Sequence, residues 1–178
     1  MSYFSVILSE GFFFSTIPYY DILCIVYIIF YNLMIISIAI ALFLGSIIGL
    51  ERAIADKGAG MRTYALVSMG SALFIVISQK VIQQNFSLGI YDFDPLRVAA
   101  GIVTGIGFIG AGLFVWKGEK VHNITTAAGL WVSAGIGVAC GYGLYTLALS
   151  AALLTLFVFT ILWFIEKKIT KLTDRFLD

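Results

Sequence analysis

The sequence predicts an all-α integral membrane protein, a compact bundle of five transmembrane helices with its N-terminus outside and its C-terminus in the cytoplasm. Three observations predict it. Of the 178 residues, 61% are hydrophobic and 12% charged, whereas a soluble domain is about half apolar and about a quarter charged. The mean hydropathy of +1.02 places most of this apolar surface against lipid. Finally, the Lys and Arg fall almost entirely on one side of the five spans. Eleven Lys and Arg against ten Asp and Glu leave a net charge of +1, with no basic footprint for nucleic acid.

The first 21 residues carry Tyr3, Phe4, Phe12, Phe13, Phe14, Tyr19 and Tyr20, interrupted by Glu10 and Pro18. They are too few to cross and read as an aromatic segment at the outer interface. No Lys or Arg precedes Arg52 and no small-residue cleavage site follows, so the N-terminus is expected to be kept.

Residues 22–165 form the membrane domain. A core about 30 Å thick needs about 20 helical residues. Ile22 to Leu50 provides one tilted span, Thr63 to Gln79 a short one and Val98 to Trp116 one of near-ideal length. Asn123 to Ile165 runs 43 residues without a charge, too long for one helix. Gly141-Tyr142-Gly143 divides it into a hairpin, because two glycines turn the backbone at little cost. Five spans put Arg52, Lys57, Arg62, Lys117, Lys120, Lys167, Lys168, Lys171 and Arg175 on one face and only Lys80 and Arg97 on the other. The positive-inside rule assigns the basic face to the cytoplasm. Residues 166–178 read as a basic amphipathic tail along the cytoplasmic lipid surface.

Glycine spacing carries the packing argument, because helices in lipid associate by close approach. Gly129, Ser133, Gly137 and Gly141 recur every four residues and form one ridge on the fourth span. Another helix is expected on that ridge, as packing alone or as an oligomer interface or polar path. Gly45 and Gly49 repeat the pattern in the first span, and Gly101, Gly105, Gly107, Gly110 and Gly112 load the third. Gly105, Gly107 and Gly110 also match the dinucleotide-binding spacing, but mid-membrane, with Thr125 where the acid belongs, the match is false.

Charged residues cluster at span ends. Asp94 followed by Pro95 suits a helix N-cap. The alternative is cation binding by Asp94 and Glu51, since Mg²⁺ takes one or two carboxylates and keeps several waters. The expected topology places those two on opposite sides of the membrane, so they cannot share one ion unless the spans are broken. Arg52 and Arg62 flank the loop Ala53 to Met61, either snorkelling to headgroups or joined in ion pairs with Glu51 and Asp56. Asn123, Thr125 and Thr126 open the fourth span as a cap would and are also able to bond another helix. His122, alone in its loop, has no second metal ligand nearby. Cys24 and Cys140 stand in separate apolar runs without disulfide or metal spacing. No catalytic motif appears, and enzyme activity is not expected.

Five motifs in order carry a resemblance: Gly49-Leu50-Glu51-Arg52, Ala59-Gly60-Met61-Arg62-Thr63, Asp94-Pro95-Leu96-Arg97-Val98-Ala99-Ala100, Thr104 to Gly112, and Thr125-Thr126-Ala127-Ala128-Gly129-Leu130-Trp131-Val132. Over roughly residues 35–165 the chain resembles the MgtC/SapB family of bacterial inner-membrane proteins. The resemblance implies a five-span protein linked to adaptation to low magnesium and, in pathogens, to survival inside host cells. For some members it implies action through a membrane partner such as the ATP synthase. The family's polar positions fall on Glu51, Arg52, Arg62, Asp94, Arg97, Thr104, Thr125 and Thr126. The chain is similar to the shorter SapB branch, without the soluble C-terminal domain of the MgtC branch, and Gly101 stands where an amide is expected in many relatives.

Two functions follow. One is a non-catalytic membrane module working through helix contacts with itself, as a homo-oligomer, or with a membrane protein partner. The alternative is a cation channel or transporter, with Mg²⁺ the first ion to test. Coupled transporters place ionisable groups at mid-depth, and the spans here hold none in their interiors.

Overall fold

The computed structural model describes residues 17–87, 94–113, 115–117 and 120–177. The helices are α1 (Ile17–Ile54), α2 (Met61–Ser87), α3 (Arg97–Leu113), α4 (Ile124–Gly141), α5 (Tyr145–Phe157) and α6 (Trp163–Leu177). A π-helical turn, Val158–Leu162, joins α5 to α6, so five rods are present. The expected interfacial segment lies outside the described residues up to position 16. Residues 17–21 are helical and open α1, with Pro18 in the first turn, where its missing N–H costs nothing.

The chain divides into two compact units, Met1–Ile35 and Ile36–Asp178. In the first, the described residues are helical, and Ile25, Ile28, Ile29 and Tyr31 are exposed. The second contains the bundle. Its centre is α4, 61% of whose span is buried against 22–33% for the other three long apolar helices. Those four helices are long and apolar enough to cross a membrane, and α3 is a shorter apolar helix of 17 residues. Leu66, Phe74, Phe108, Leu153 and Leu154 are exposed, as lipid-facing residues are when hydrocarbon is the solvent.

The Gly129–Gly141 ridge lies against α2. A Cβ at Gly137 would collide with the Ser68 carbonyl, and one at Gly141 would stand 2.6 Å from Ile75 Cβ. From α1, a Cβ at Gly45 would be 2.6 Å from the Tyr64 carbonyl, and one at Gly49 2.6 Å from Met61 Cα. Small residues of α1 and α4 thus both pack closely against α2, at Tyr64 and Ser68. Two buried hydroxyls pair within their own helices: Ser71 donates to the Val67 carbonyl at 2.8 Å and Thr155 to that of Ala151 at 2.7 Å. The Ser37 and Tyr145 hydroxyls join α1 to α5 at 2.7 Å.

Two helix ends use the left-handed cap. Asp56 (φ 53°) closes α1, with Lys57 N–H bonded to the Arg52 carbonyl at 3.0 Å and Asp56 N–H to that of Ala53 at 3.2 Å. Gly143 (φ 76°) closes α4 in the same way, and the hairpin turns at 142–144. The third helix stops at Leu113, earlier than the run to Trp116 predicts. Val115–Lys117 instead pairs antiparallel with Lys120–His122 as a two-stranded ribbon, β1 and β2, with Val115 opposite His122. The expected loop is therefore a small hairpin on an otherwise helical fold.

Candidate functional site

The polar residues gather at two places on the bundle. At the first, the final turn of α1 carries Glu51 and Arg52. The Arg52 guanidinium forms a fork onto its neighbour's carboxylate, Nε to Oε2 at 2.5 Å and Nη2 to Oε1 at 2.8 Å. Its carbon lies 3.8 Å from the centroid of the Phe159 ring, presented by the π turn. Arg52 is only 4% exposed. Of the two sequence expectations for this residue, the ion pair describes it, and a side chain so buried is not snorkelling. A buried charge needs a partner because low dielectric makes an isolated ion prohibitively costly. The fork and the aromatic face together supply one.

Tyr64, one turn into α2, lies beside this pair. Its hydroxyl donates to the Thr126 carbonyl at 3.0 Å, while Ser133 Oγ donates to the Tyr64 carbonyl at 3.0 Å. Phe159 fills the space left by Gly129, where a Cβ would come within 2.5 Å of the ring. Ser68 Oγ, one turn further along α2 between Gly45 and Gly137, is buried without a hydrogen-bond partner among the described residues. Asn123 precedes α4 in the left-handed conformation (φ 69°), but its side chain does not cap the helix. Nδ2 donates instead to the Leu113 carbonyl at 3.2 Å, tying the end of α3 to the start of α4.

The second place is the opposite end of α4. Asp94 Oδ1 accepts the Leu96 N–H at 2.9 Å, a side-chain bond within the turn that leads into α3 at Arg97. The Tyr142 hydroxyl donates to the Pro95 carbonyl at 2.6 Å. Partial burial, and secondarily the nearby Asp94 carboxylate, push the Tyr142 phenol above its ordinary value.

From Gly129 to Tyr142 is thirteen residues, about 20 Å along a helix. Glu51 and Asp94 therefore belong to separate ends, and the structure does not bring these two candidate metal ligands together. Among the described residues, no group of three or more His, Cys, Asp or Glu is placed to hold a metal ion. Arg62, Arg97, Thr104 and Thr125 are exposed; Thr104 donates to the Ala100 carbonyl of its own helix at 3.0 Å. Thr126 is buried, and its carbonyl serves Tyr64.

The glycines separate into two sets. Gly45, Gly49, Gly129, Gly137 and Gly141 all face neighbouring helices of this chain. Gly101, Gly105, Gly107 and Gly112 have nothing within 4 Å of an added Cβ, so Gly105 makes no helix contact of that kind here. Gly101 and Gly105 line an open apolar groove of about 680 Å³ between α2 and α3, with Leu66, Phe74 and Ile109 along it. Sequence reasoning missed Tyr64, Phe159 and Tyr142. The only available signal was that an aromatic residue stood opposite a glycine or beside a cap.

A lipid-facing five-helix bundle with one neutralised buried arginine and polar groups at its two ends defines a class, the polytopic membrane proteins without a polar cleft among their described residues. The chain belongs to the MgtC family, whose pattern matches residues 38–168, and is a multi-pass bacterial membrane protein. It is 43% identical to the "Putative magnesium transporter YhiD" of Escherichia coli (strain K12) over 70% of this chain and 58% of that protein. It is 43% identical to "Protein MgtC" of Salmonella typhimurium over 68% of this chain and 49% of that protein. For "Protein MgtC" of Brucella abortus the identity is 45%, over 68% and 46%. The chain spans about half the length of the curated relatives it matches. No solved structure matches it.

Proposed function

We propose that this protein is a non-catalytic module of the bacterial inner membrane, engaged in adaptation to low magnesium. It acts through helix contact with a second copy or with a membrane partner such as the ATP synthase. The observation that carries this reading is the division of the glycines. The α4 ridge is consumed within the chain, whereas Gly101, Gly105, Gly107 and Gly112 leave α3 open to close approach. The contact surface is therefore α3, and the N-terminus lies outside, as the distribution of Lys and Arg supports. The name of the Escherichia coli relative, a magnesium transporter, is in keeping with a role without catalysis.

The test is photocrosslinking in native membranes from a probe at Phe108, which is 83% exposed on α3. Gly105→Leu should abolish the crosslinked species while the purified protein unfolds at an unchanged temperature. Unchanged crosslinking would remove the reading.

The name of the Escherichia coli relative favours a second reading, Mg²⁺ passage through the protein. Liposomes containing only this chain, given a Mg²⁺ gradient and a membrane potential, should then conduct, and Asp94→Asn should reduce the flux. Impermeable liposomes would dismiss it.

A further inference from the structure

The helix beyond the π turn, α6, separates its basic and apolar positions by helical periodicity. Residues 161–170 are all exposed, and α6 continues to Leu177. At about 100° per residue, positions 167, 168, 171 and 175, occupied by Lys167, Lys168, Lys171 and Arg175, fall within one arc of about 100°. Positions 165, 169, 172 and 176, all Ile, Leu or Phe, fall within the adjoining arc of about 60°. Glu166 and Asp174 lie outside both arcs, and Phe164 is the one apolar position inside the basic arc. The four basic positions of α6 thus fall in one arc beside an arc of apolar positions, with positions 166 and 174 outside both.

Chain geometry places this face at a membrane boundary. Tyr145 to Glu166 is 22 helical residues, a rise of about 33 Å against a hydrocarbon core of about 30 Å. The basic arc therefore begins where α5 runs out of hydrocarbon. The π turn at Val158–Leu162 precedes it directly, and an interrupted hydrogen-bond ladder is where a helix bends most readily. Lys167 Nζ lies 5.0 Å from the Trp163 ring centroid, pairing a cation with the aromatic residue type enriched at membrane interfaces.

We infer that α6 docks on the anionic phospholipid surface of the leaflet at which α5 emerges. Positions 165, 169, 172 and 176 enter the acyl boundary, and the basic arc meets the phosphates. A basic stripe beside an apolar stripe matches the two layers of such a surface, phosphate above and hydrocarbon below. The inference is independent of the α3 contact surface, because it rests on a different helix and needs no protein partner.

The experiment uses the full chain with Cys24→Ser, spin-labelled at Ile169→Cys in the apolar arc or at Thr170→Cys outside both arcs. The protein is placed in nanodiscs of phosphatidylcholine alone or of phosphatidylcholine and phosphatidylglycerol in equal parts. In the anionic discs the label at 169 should be accessible to oxygen and shielded from a water-soluble nickel chelate, with the label at 170 the reverse. In zwitterionic discs, or in strong salt, this contrast should shrink. Lys168→Gln and Lys171→Gln should each lower the docked-to-undocked ratio by about fivefold, whereas Glu166→Gln should not lower it. Equal accessibility in the two lipids overturns the inference and turns attention to an acidic protein segment as occupant. Docking unaffected by either Lys substitution also overturns it.

Discussion

The Tyr64 hydroxyl reaches 3.0 Å to the Thr126 carbonyl, bridging residues 62 positions apart in sequence. The Ser133 bond to the Tyr64 carbonyl returns the contact about two turns further along α4. Together they lock α2 and α4 in axial register beside the glycine ridge. Tyr64→Phe should cost about 1 kcal/mol of unfolding free energy in detergent. Phe preserves the ring, so a loss far above that would assign the stability to something other than the bond.

A Cβ at Gly137 has no space beside the Ser68 carbonyl, and one at Gly135 meets nothing within 4 Å. Gly137→Ala should destabilise at the upper end of the ~1–3 kcal/mol range for overpacking. Gly135→Ala should stay within about 0.5 kcal/mol of the parent. Thermal unfolding of the two variants side by side reads the difference. Equal melting temperatures would show that α2 yields.

Glu51→Gln leaves the Arg52 guanidinium buried beside Phe159 without its counter-charge. The loss should be about 3 kcal/mol, whereas Glu51→Gln combined with Arg52→Met should recover most of it, because a neutral pair carries no desolvation debt. A double-mutant cycle on unfolding measures both. Additive losses would mean that the fork contributes nothing.

Tyr142 adds a pH dependence. Its folded pKa is raised, so its contribution to stability is complete below the unfolded value of about 10 and is lost as pH rises through the folded one. A tyrosinate cannot donate to the Pro95 carbonyl. Ultraviolet titration, differenced against Tyr142→Phe, should show this phenol ionising later than free tyrosine. Asp94→Asn should bring it part of the way back.

Asn123 tests a conformation more than a bond. Asn tolerates φ 69° better than Ala, and its amide also holds the Leu113 carbonyl. Asn123→Gly should lose only the bond, about 1 kcal/mol, and Asn123→Ala more, through added strain. Equal losses by chemical unfolding would remove the conformational term.

Much of this architecture was legible because lipid restricts what a residue pattern can mean. Small residues every four positions in a charge-free run have one simple physical use, and the structure puts α2 on the ridge that Gly129, Ser133, Gly137 and Gly141 form. The hairpin break fell beside Gly143 for a similarly local reason, whereas Asp94 and Pro95 lie in the turn before α3 and not in its first turn. What stayed hidden was decided by distant partners. Nothing near Arg52 in sequence indicates that Phe159 will cover it, and nothing near Asn123 indicates that Leu113 will draw its amide away from the helix it precedes. The short ribbon at Val115–His122 was equally unreadable, since three-residue strands hold too little periodicity to distinguish them from a loop.

The brevity of α3 has a mechanical consequence. Its 17 residues rise about 25 Å, some 5 Å less than ordinary hydrocarbon thickness. A rod this short reaches across hydrocarbon only where the bilayer thins around it or its flanking residues snorkel, at a modest cost for each ångström of mismatch, so its length favours thin patches of bilayer.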